Sequence, residues 1–322
     1  MQKKRWTLFL AGAIIVILIC FAAAIKFSEP VSPPPLTFVA ASFQSIDFSQ
    51  LPPVSRFEAR DGIKLAYRSY PSSSPSAKTL VLIHGSSGSS LMMHPLAKYL
   101  QGHKIDVYVP DMRGHGESGA KGDIAYIGQM EDDIEDFICE VLKDRADLTL
   151  VGFSSGGGFA LRFAGSDKQN YFDRYILLTP FISHDAPTTK PETSKWANAS
   201  VPRIIGISLL GSIGEKYFGH LPVLAFGVEP QNAQNQTPVY SYRLWKNFGA
   251  HYDYKTDMKN AKKPIAVLVG KDDELMYPQE YLPLFAKWQT HAEINIVPDV
   301  GHISLITDEA GLAAIARQLQ PE

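Results

Sequence analysis

The sequence predicts an α/β fold in which a mostly parallel β-sheet is covered by helices on both faces. Short, continuous apolar runs recur along the chain, and such runs are typical of strands that are buried on both faces. Helical patterns lie between several of them, and strands that alternate with helices favour a parallel sheet. The runs are residues 79–83, 105–109, 148–151, 175–178, 265–269 and 294–297.

The first element of the chain is an apolar segment. Residues 6–25 contain no charged side chain, and a helix of this length covers roughly 30 Å, the thickness of a bilayer core. Basic residues at positions 3–5 precede the segment, whereas only Lys26 and Glu29 are charged in the stretch that follows. Since positive charge is retained in the cytoplasm, this pattern predicts a transmembrane helix with residues 1–5 inside and the rest of the chain on the other side.

A cleaved signal peptide is the alternative for this segment, and the protein would then be secreted. The three alanines at positions 22–24 offer the small residues of a cleavage site. The apolar run is nevertheless longer than the usual signal-peptide core of about 7–15 residues. The sequence therefore favours an uncleaved anchor.

Residues 26–53 follow as a proline-rich tether, with three consecutive prolines at 33–35 and no helical or strand period. Residues 54–322 form the globular part. Its first element is predicted to be a hairpin, because alternating residues flank Asp61 and Gly62 on both sides.

The clearest helical pattern covers residues 127–142. Its apolar residues are spaced by three and four positions and so share one face. They are Ile127, Met130, Ile134, Phe137, Ile138, Val141 and Leu142. Glu131, Asp132 and Glu135 are predicted on the opposite face.

The alternation of strands and helices breaks once, between the runs at 175–178 and 265–269. The stretch between them has mixed proline, glycine, asparagine and aromatic content and no clear strand. Because a structureless loop of this length is improbable inside a compact domain, the sequence predicts an inserted, largely helical cap over about residues 181–262.

A candidate nucleophile lies between a predicted strand and a predicted helix. Residues 152–156 read Gly-Phe-Ser-Ser-Gly and come directly after the run 148–151. The glycines allow a sharp strand-to-helix turn that presents Ser154 above the sheet. Taken alone, the motif is also compatible with a glycine-rich turn that has no chemical role.

A serine hydroxyl requires a base within hydrogen-bonding reach and an acid that orients this base. Asp272 and Asp273 follow the run 265–269, and His302 follows the run 294–297. Sites of such sheets lie at the carboxyl ends of the strands. The pattern therefore predicts His302 as the base and one of the two aspartates as the acid.

The loop after the first parallel run supplies a candidate oxyanion hole. Residues 84–88 read His-Gly-Ser-Ser-Gly and can aim the amide of Ser86 at a substrate carbonyl oxygen, beside the amide of Ser155. A connector without this role is the alternative. His84 and His115 are expected to be structural hydrogen-bonding residues of glycine-rich loops.

In this order the motifs resemble the α/β-hydrolase superfamily, and within it the monoacylglycerol lipase and lysophospholipase-like serine hydrolases. The resemblance covers about residues 57–319. It is carried by residues 84–86, 110–118, 152–156, 270–273 and 301–302. It implies an α/β-hydrolase fold, an acid at Asp273 rather than Asp272, and a structural role for the segment 110–118.

The expected function is that of a membrane-anchored serine hydrolase that cleaves carboxylic esters through an acyl-enzyme. The resemblance implies lipid-like substrates such as monoacylglycerols or lysophospholipids. An aminopeptidase-like or other amide hydrolase is an alternative, because the same triad cleaves amides. A non-catalytic binding protein on a hydrolase scaffold is a further alternative, against which the complete set of triad residues argues.

Composition and charge exclude several other classes of function. The 31 basic and 33 acidic residues give a formal charge of −2, so no basic excess is available to bind a nucleic acid. Cys20 and Cys139 are too few for a disulfide framework or a cysteine-based zinc site. No phosphate loop for a nucleotide is present, so no cofactor or metal is expected, and the oligomeric state stays open.

Overall fold

The structure, a computed structural model, describes residues 2–37, 39, 46–73, 78–229, 235–289 and 291–319. Within the first helix, the side chains of residues 2–5, 7–11, 14, 15, 17 and 18 lie outside this description. The described strands are β1 (Ser55–Glu58), β2 (Lys64–Tyr70), β3 (Thr79–Ile83), β4 (Asp106–Pro110), β5 (Leu148–Phe153), β6 (Arg174–Leu178), β7 (Ala197–Ala199), β8 (Pro222–Phe226), β9 (Val239–Ser241), β10 (Ile265–Gly270) and β11 (Glu293–Val297).

Twelve α-helices lie within the described residues. They are α1 (Gln2–Phe27), α2 (His94–Gly102), α3 (Gln129–Val141), α4 (Ser155–Ala164), α5 (Thr193–Trp196), α6 (Val201–Leu209), α7 (Gly211–Phe218), α8 (Tyr242–Asn247), α9 (Tyr254–Asn260), α10 (Tyr281–Trp288), α11 (Ser304–Thr307) and α12 (Glu309–Gln318).

The main sheet has eight strands in the order β1-β2-β4-β3-β5-β6-β10-β11. β2 runs antiparallel to both of its neighbours, and the other adjacent pairs are parallel. β1 and β2 form the predicted hairpin, with Gly62 at a φ of +81° in the turn. The predicted mostly parallel sheet is therefore confirmed, and the carboxyl ends of β3, β5, β6, β10 and β11 lie along one edge.

Helices cover both faces of this sheet. Successive strand residues point to opposite sides, so neighbouring residues of one strand belong to different cores. Leu150 belongs to a core with Phe137 of α3 and Phe163 of α4. Its neighbour Val151 belongs to the opposite core, which contains Leu100 of α2 and other residues of α2 and α12. The sheet is thus buried on both faces, as its continuous apolar strands predict.

The cap, defined here as residues 193–247, contains α5 to α8 and a second sheet in the order β7-β8-β9. Its strands are antiparallel, so the expectation of a largely helical cap is incomplete. β7 and β9 have only three residues each, which is too short to show a strand period. α9, inside the predicted span 181–262, packs on the main domain, where a Cβ at Gly165 would lie 2.5 Å from Asp257 Cα.

The carboxyl end of α1 lies on the cap. The buried Arg203 of α6 donates hydrogen bonds to the carbonyls of Ile25 at 2.7 Å and Lys26 at 3.1 Å, and a Cβ at Gly206 would lie 2.7 Å from Ile25 Cγ1. Within the described part of the chain, no helix is both long and apolar enough to cross a membrane. The transmembrane helix predicted over residues 6–25 is not found there, and part of that prediction falls on side chains outside the description.

The segment predicted as a tether contacts the rest of the protein near both of its ends. Asn198 of the cap donates a hydrogen bond to the Val31 carbonyl at 3.0 Å. Arg68 of β2 donates one to the Pro52 carbonyl. Residues 38 and 40–45 of the same segment lie outside the described residues.

Candidate active site

Ser154 lies on the sharp turn between β5 and α4. Its φ of +54° is in the left-handed region, which is unusual for a residue other than glycine. The turn requires the glycines around it: a Cβ at Gly152 would lie 2.0 Å from the Gly156 carbonyl oxygen, and a Cβ at Gly156 would lie 2.3 Å from the His84 carbonyl oxygen. The strained turn holds the Ser154 side chain at the carboxyl edge of the sheet, as the motif predicts.

His302 reaches Ser154 from the loop after β11. Its Nε2 lies 3.1 Å from Ser154 Oγ, and the residue is 3% exposed. Two backbone hydrogen bonds fix the loop. The His302 amide donates to Glu274 Oε2 at 2.7 Å, and the Gly301 amide donates to Ser304 Oγ at 2.7 Å. The imidazole is therefore fixed over the nucleophile turn.

Asp273 follows β10 and is fully buried. Its Oδ2 accepts a hydrogen bond from His302 Nδ1 at 2.8 Å, and its Oδ1 accepts the amides of Leu275 and Met276 at 2.8 Å each. The adjacent Asp272 is exposed and does not contact His302. Of the two aspartates, the structure places only Asp273 against His302.

Burial alone would raise the pKa of Asp273, because it penalises the charged carboxylate. Coulombic attraction to the imidazolium form of His302, with hydrogen bonds from His302, Thr179 and the Leu275 amide, outweighs burial and holds the pKa of Asp273 below its usual range. An ionised Asp273 accepts a hydrogen bond from the Nδ1–H group of His302. Nε2 is then free to accept the proton of Ser154 Oγ, which is the arrangement of a general base.

The oxyanion loop, residues 84–88, approaches Ser154 closely. A Cβ at Gly85 would lie 3.3 Å from Ser154 Cβ. Neither the amide of Ser86 nor that of Ser155 has a hydrogen-bond acceptor among the described residues. Ser155 is the first residue of α4, where backbone amides have no partner inside the helix. Among the described residues, both predicted donors therefore keep an N–H group without an acceptor.

Two other histidines, His84 of the oxyanion loop and His115 beside it, make no hydrogen bond to Ser154. The ring centroids of His84 and His115 are 4.8 Å apart, and the Met112 amide donates a hydrogen bond to His84 Nε2 at 3.2 Å. Burial lowers the pKa of both imidazoles. Within the part of the chain that the structure describes, no group of three or more potential ligand side chains is placed to hold a metal.

Sequence reasoning missed Thr179, the residue after β6. Its hydroxyl donates a hydrogen bond to Asp273 Oδ2, and its φ of +42° is unfavourable for a β-branched residue. Lys190 adds a hydrogen bond from Nζ to the Asp273 carbonyl at 2.5 Å. The position of Thr179 at the carboxyl end of a central strand was a signal, since the other site residues occupy equivalent positions.

Comparison with known proteins identifies the family of this chain. The family model Hydrolase_4, described as "Serine aminopeptidase, S33", matches residues 74–309. The chain belongs to this family. It is therefore a member of the α/β-hydrolase superfamily, and its Ser154, Asp273 and His302 all lie within the region that the family model covers.

Individual relatives of this Hydrolase_4 member match shorter stretches. The uncharacterized protein YfhR of Escherichia coli (strain K12) is 31% identical over 137 residues, which cover 40% of this chain and 47% of YfhR. The uncharacterized protein Rv2715 of Mycobacterium tuberculosis is 30% identical over 129 residues, 40% of this chain and 35% of Rv2715. The chain thus spans less than half the length of these relatives.

Solved structures resemble the Hydrolase_4 member over most of its length. A soluble variant of the monoglyceride lipase of Saccharomyces cerevisiae, in complex with a substrate analogue, superposes with a TM-score of 0.66 at 20% identity and covers 86% of this chain and 97% of its own. The monoacylglycerol lipase of Paleococcus ferrophilus gives 0.58 at 20% identity, with coverage of 79% and 98%. Likeness at this level of identity shows the shared fold.

Proposed function

We propose that this protein is a serine hydrolase that cleaves carboxylic esters through an acyl-enzyme. One observation carries the proposal: an unbroken chain of hydrogen bonds runs from Ser154 Oγ to His302 Nε2 at 3.1 Å and from His302 Nδ1 to Asp273 Oδ2 at 2.8 Å. This is the geometry that activates a serine hydroxyl as a nucleophile.

In the first half of the proposed reaction, Ser154 Oγ attacks the ester carbonyl carbon and its proton passes to His302 Nε2. The carbonyl oxygen becomes an oxyanion that accepts hydrogen bonds from the Ser86 and Ser155 amides. When the tetrahedral intermediate collapses, the bond to the leaving oxygen breaks. His302 gives this oxygen its proton, so an alcohol leaves and Ser154 is acylated.

In the second half, a water molecule replaces the alcohol. His302 Nε2 takes a proton from the water as it attacks the acyl carbon, and the same two amides hold the second oxyanion. Collapse breaks the bond to Ser154 Oγ, which recovers the proton from His302. Asp273 remains ionised throughout and stabilises the imidazolium that forms in each half.

Exposed apolar side chains of the cap favour a lipid-like substrate. The cap helices α6 and α7 carry five large exposed apolar side chains: Val201, Ile205, Leu209, Ile213 and Tyr217. The similar monoglyceride lipase of yeast was solved with a substrate analogue. We therefore propose medium or long acyl esters as substrates, monoacylglycerols or lysophospholipids among them.

Membrane attachment is part of the same proposal and rests on the sequence pattern of residues 3–25. The catalytic domain would lie on the non-cytoplasmic side, because positive charge precedes the apolar segment. A reporter that is active only in the cytoplasm, fused after Glu322, should then be inactive. Release of a shortened soluble protein would indicate a cleaved signal peptide.

Two assays test the catalytic proposal. A fluorophosphonate probe should label the wild-type protein and not Ser154→Ala, and absence of labelling would favour a non-catalytic binding protein. On p-nitrophenyl esters, kcat/KM should rise from acetyl to decanoyl, because each buried methylene adds up to about 0.8 kcal/mol, or about fourfold, to transition-state binding. A steady fall over this series would contradict the lipid-ester assignment.

The family description favours a second candidate, an aminopeptidase. Aminoacyl p-nitroanilides distinguish the two, because they carry the free amino group that an aminopeptidase must recognise. Cleavage of these anilides with a higher kcat/KM than that of the esters, lost in Ser154→Ala, would establish the aminopeptidase.

A further inference from the structure

The oxyanion loop is held by the cap. The Trp196 indole donates a hydrogen bond from Nε1 to Ser86 Oγ at 3.1 Å. The Ser87 amide donates one to the Tyr240 hydroxyl at 2.6 Å, and the Ser87 carbonyl accepts the Thr237 amide at 2.8 Å. The loop follows a strand of the main sheet, yet these three contacts come from the inserted segment.

Trp196 and Tyr240 belong to one row of aromatic rings across the cap sheet. The ring of Phe226 lies between them, with centroid distances of 5.6 Å to Trp196 and 4.6 Å to Tyr240. Phe226 and Tyr240 are buried, and buried aromatic rings in contact restrict each other's rotamers. The two side chains that reach the oxyanion loop are therefore parts of one packed unit.

The hydrogen-bond partners of Tyr240 determine which atoms of Tyr240 and His115 carry the protons. The hydroxyl accepts the Ser87 amide proton, so its own proton is available for His115 Nε2, which lies 2.6 Å away. His115 Nδ1 faces the Arg113 carbonyl at 3.2 Å, and a carbonyl can only accept. Nδ1 therefore carries the imidazole proton and Nε2 accepts from Tyr240.

The pKa shifts of His115 and Tyr240 agree with this placement of the protons. Burial, assisted by the neighbouring His84, lowers the pKa of His115 well below its ordinary value, so the ring is neutral and retains an acceptor nitrogen. Burial also raises the pKa of Tyr240, which keeps the hydroxyl protonated. A neutral chain of hydrogen bonds thus runs from the Ser87 amide through Tyr240 and His115 to the Arg113 carbonyl.

Ser87 needs such support because its backbone is strained. Its φ is +62°, a left-handed conformation that persists in a residue other than glycine only where neighbouring contacts impose it. The Tyr240 and Thr237 contacts fix the peptide units on both sides of Ser87. The Ser87 amide is turned toward the cap, and the preceding Ser86 amide is left free beside Ser154.

We propose that Tyr240 is a positioning residue of the oxyanion hole, which it acts on by tying Ser87 to His115 so that the Ser86 amide stays directed at the reacting carbonyl oxygen. This inference rests on the proposed hydrolase function. It means that the cap contributes to the chemical step and not only to the binding of substrate. Contacts that act in the transition state alter kcat, whereas contacts made equally in the ground state alter KM.

Tyr240→Phe in the full-length protein tests the proposal, with Tyr242→Phe as the matched control. Both tyrosines are buried in the cap, but the Tyr242 hydroxyl contacts Ser208 at 2.9 Å and not the oxyanion loop. Tyr240→Phe should lower kcat on an ester at least about tenfold with KM within about threefold, in line with the loss of an oxyanion contact. Tyr242→Phe should stay within about threefold of wild type in both constants, as for a single neutral hydrogen bond remote from the chemistry.

A trifluoromethyl ketone inhibitor gives a second readout, since its adduct with Ser154 carries an oxyanion. Its inhibition constant should weaken in Tyr240→Phe by the same factor as kcat/KM falls, because both depend on the oxyanion hole. A rise in KM at unchanged kcat, or an equal loss in Tyr242→Phe, would overturn the proposal. Thermal unfolding of both variants separates these effects from a loss of fold.

The ¹⁵N chemical shifts of the His115 ring test the proposed hydrogen bond to Tyr240 without a measurement of activity. Wild-type protein should show a neutral imidazole protonated at Nδ1, and the Nε2 shift should change in Tyr240→Phe and not in Tyr242→Phe. An Nε2-protonated or charged ring would contradict the arrangement on its own. A wild-type protein inert to esters and to fluorophosphonate would instead overturn the hydrolase proposal, whatever the His115 spectrum shows.

Discussion

The two sides of the site are supported by different parts of the molecule. Ser154, His302 and Asp273 each follow a strand of the main sheet, and their hydrogen bonds are made within the main domain. The oxyanion loop also follows a main strand, but Trp196 and Tyr240 of the cap hold it. Changes in the cap should therefore affect stabilisation of the oxyanion and leave the proton-transfer side unaltered.

Removal of the nucleophile is expected to have the largest effect and to act on the main-domain side alone. Ser154→Ala should lower kcat by about 10⁶-fold, to the residual rate that the amides and substrate binding supply. Ser155→Ala is the control, because the contribution of Ser155 is a backbone amide that alanine retains. Equal losses in the two variants, both folded by circular dichroism, would contradict this division of roles.

Removal of the negative charge beside the base is expected to be the next largest effect. Asp273→Asn should lower kcat by about 10⁴-fold, because an amide favours the wrong tautomer of the imidazole. Asp272→Asn should leave kcat close to wild type, since Asp272 is exposed. Steady-state kinetics on one ester checks the pair, and a larger loss in Asp272→Asn would exchange the two roles.

Thr179→Val tests how strongly the hydrogen bond to Asp273 supports catalysis within the main domain. Loss of the hydroxyl that donates to Asp273 Oδ2 should lower kcat by about tenfold, the value of one hydrogen bond to a charged group. It should also raise the pKa of Asp273 toward its ordinary value, because one of the contacts that lower it disappears. Thr179→Ser keeps the hydroxyl and should behave like wild type.

The stability of Thr179→Val should depend on pH in a defined direction. A carboxylate whose pKa is lowered by folding contributes stability above the unfolded pKa of about 3.9, and this contribution is lost as the pH falls through the folded pKa. Valine removes part of that contribution. Urea unfolding should therefore show the largest difference from wild type near neutral pH and a smaller one below about pH 4, and a constant difference would contradict the role of Thr179.

The smallest expected effect is at the outer contact of the cap with the oxyanion loop. Trp196→Phe removes the donor to Ser86 Oγ, and Ser86→Ala removes the acceptor while keeping the Ser86 amide. Each should lower kcat by about two- to tenfold, as one neutral hydrogen bond allows. The double variant should be no worse than either single one, because both remove the same contact. Additive losses would show that the two residues act separately.

Particular elements show how far the sequence could predict the fold. The strands of the main sheet were visible as apolar runs, because a strand buried on both faces needs apolar residues at every position. The polar face of α3 was predicted less well than the strands. Glu131 was placed on the polar side by its spacing, yet it is buried, where it accepts hydrogen bonds from Arg162 and Asn247. A buried charge needs such partners, and Asn247 is 116 residues away in the chain.

The sequence by itself determined the nucleophile turn and the candidate triad. The turn is local, and only glycine fits where a Cβ at Gly152 or Gly156 would collide with backbone, so five adjacent residues identify it. His302 and the pair Asp272 and Asp273 could be found because parallel strands bring their carboxyl ends to one edge, and the resemblance to the α/β-hydrolases implied Asp273. Their positions directly after parallel strands were enough to predict that they lie near Ser154.

The tertiary structure alone decided what holds these residues in place. Thr179 lies 94 positions from Asp273, and Tyr240 lies 153 positions from Ser87. Each makes its contact through a single hydroxyl, which leaves no periodic pattern or motif in the sequence. Short-range sterics and the apolar runs of buried strands are encoded in neighbouring residues, whereas pairing between a main-domain loop and an inserted cap depends on how the two surfaces pack.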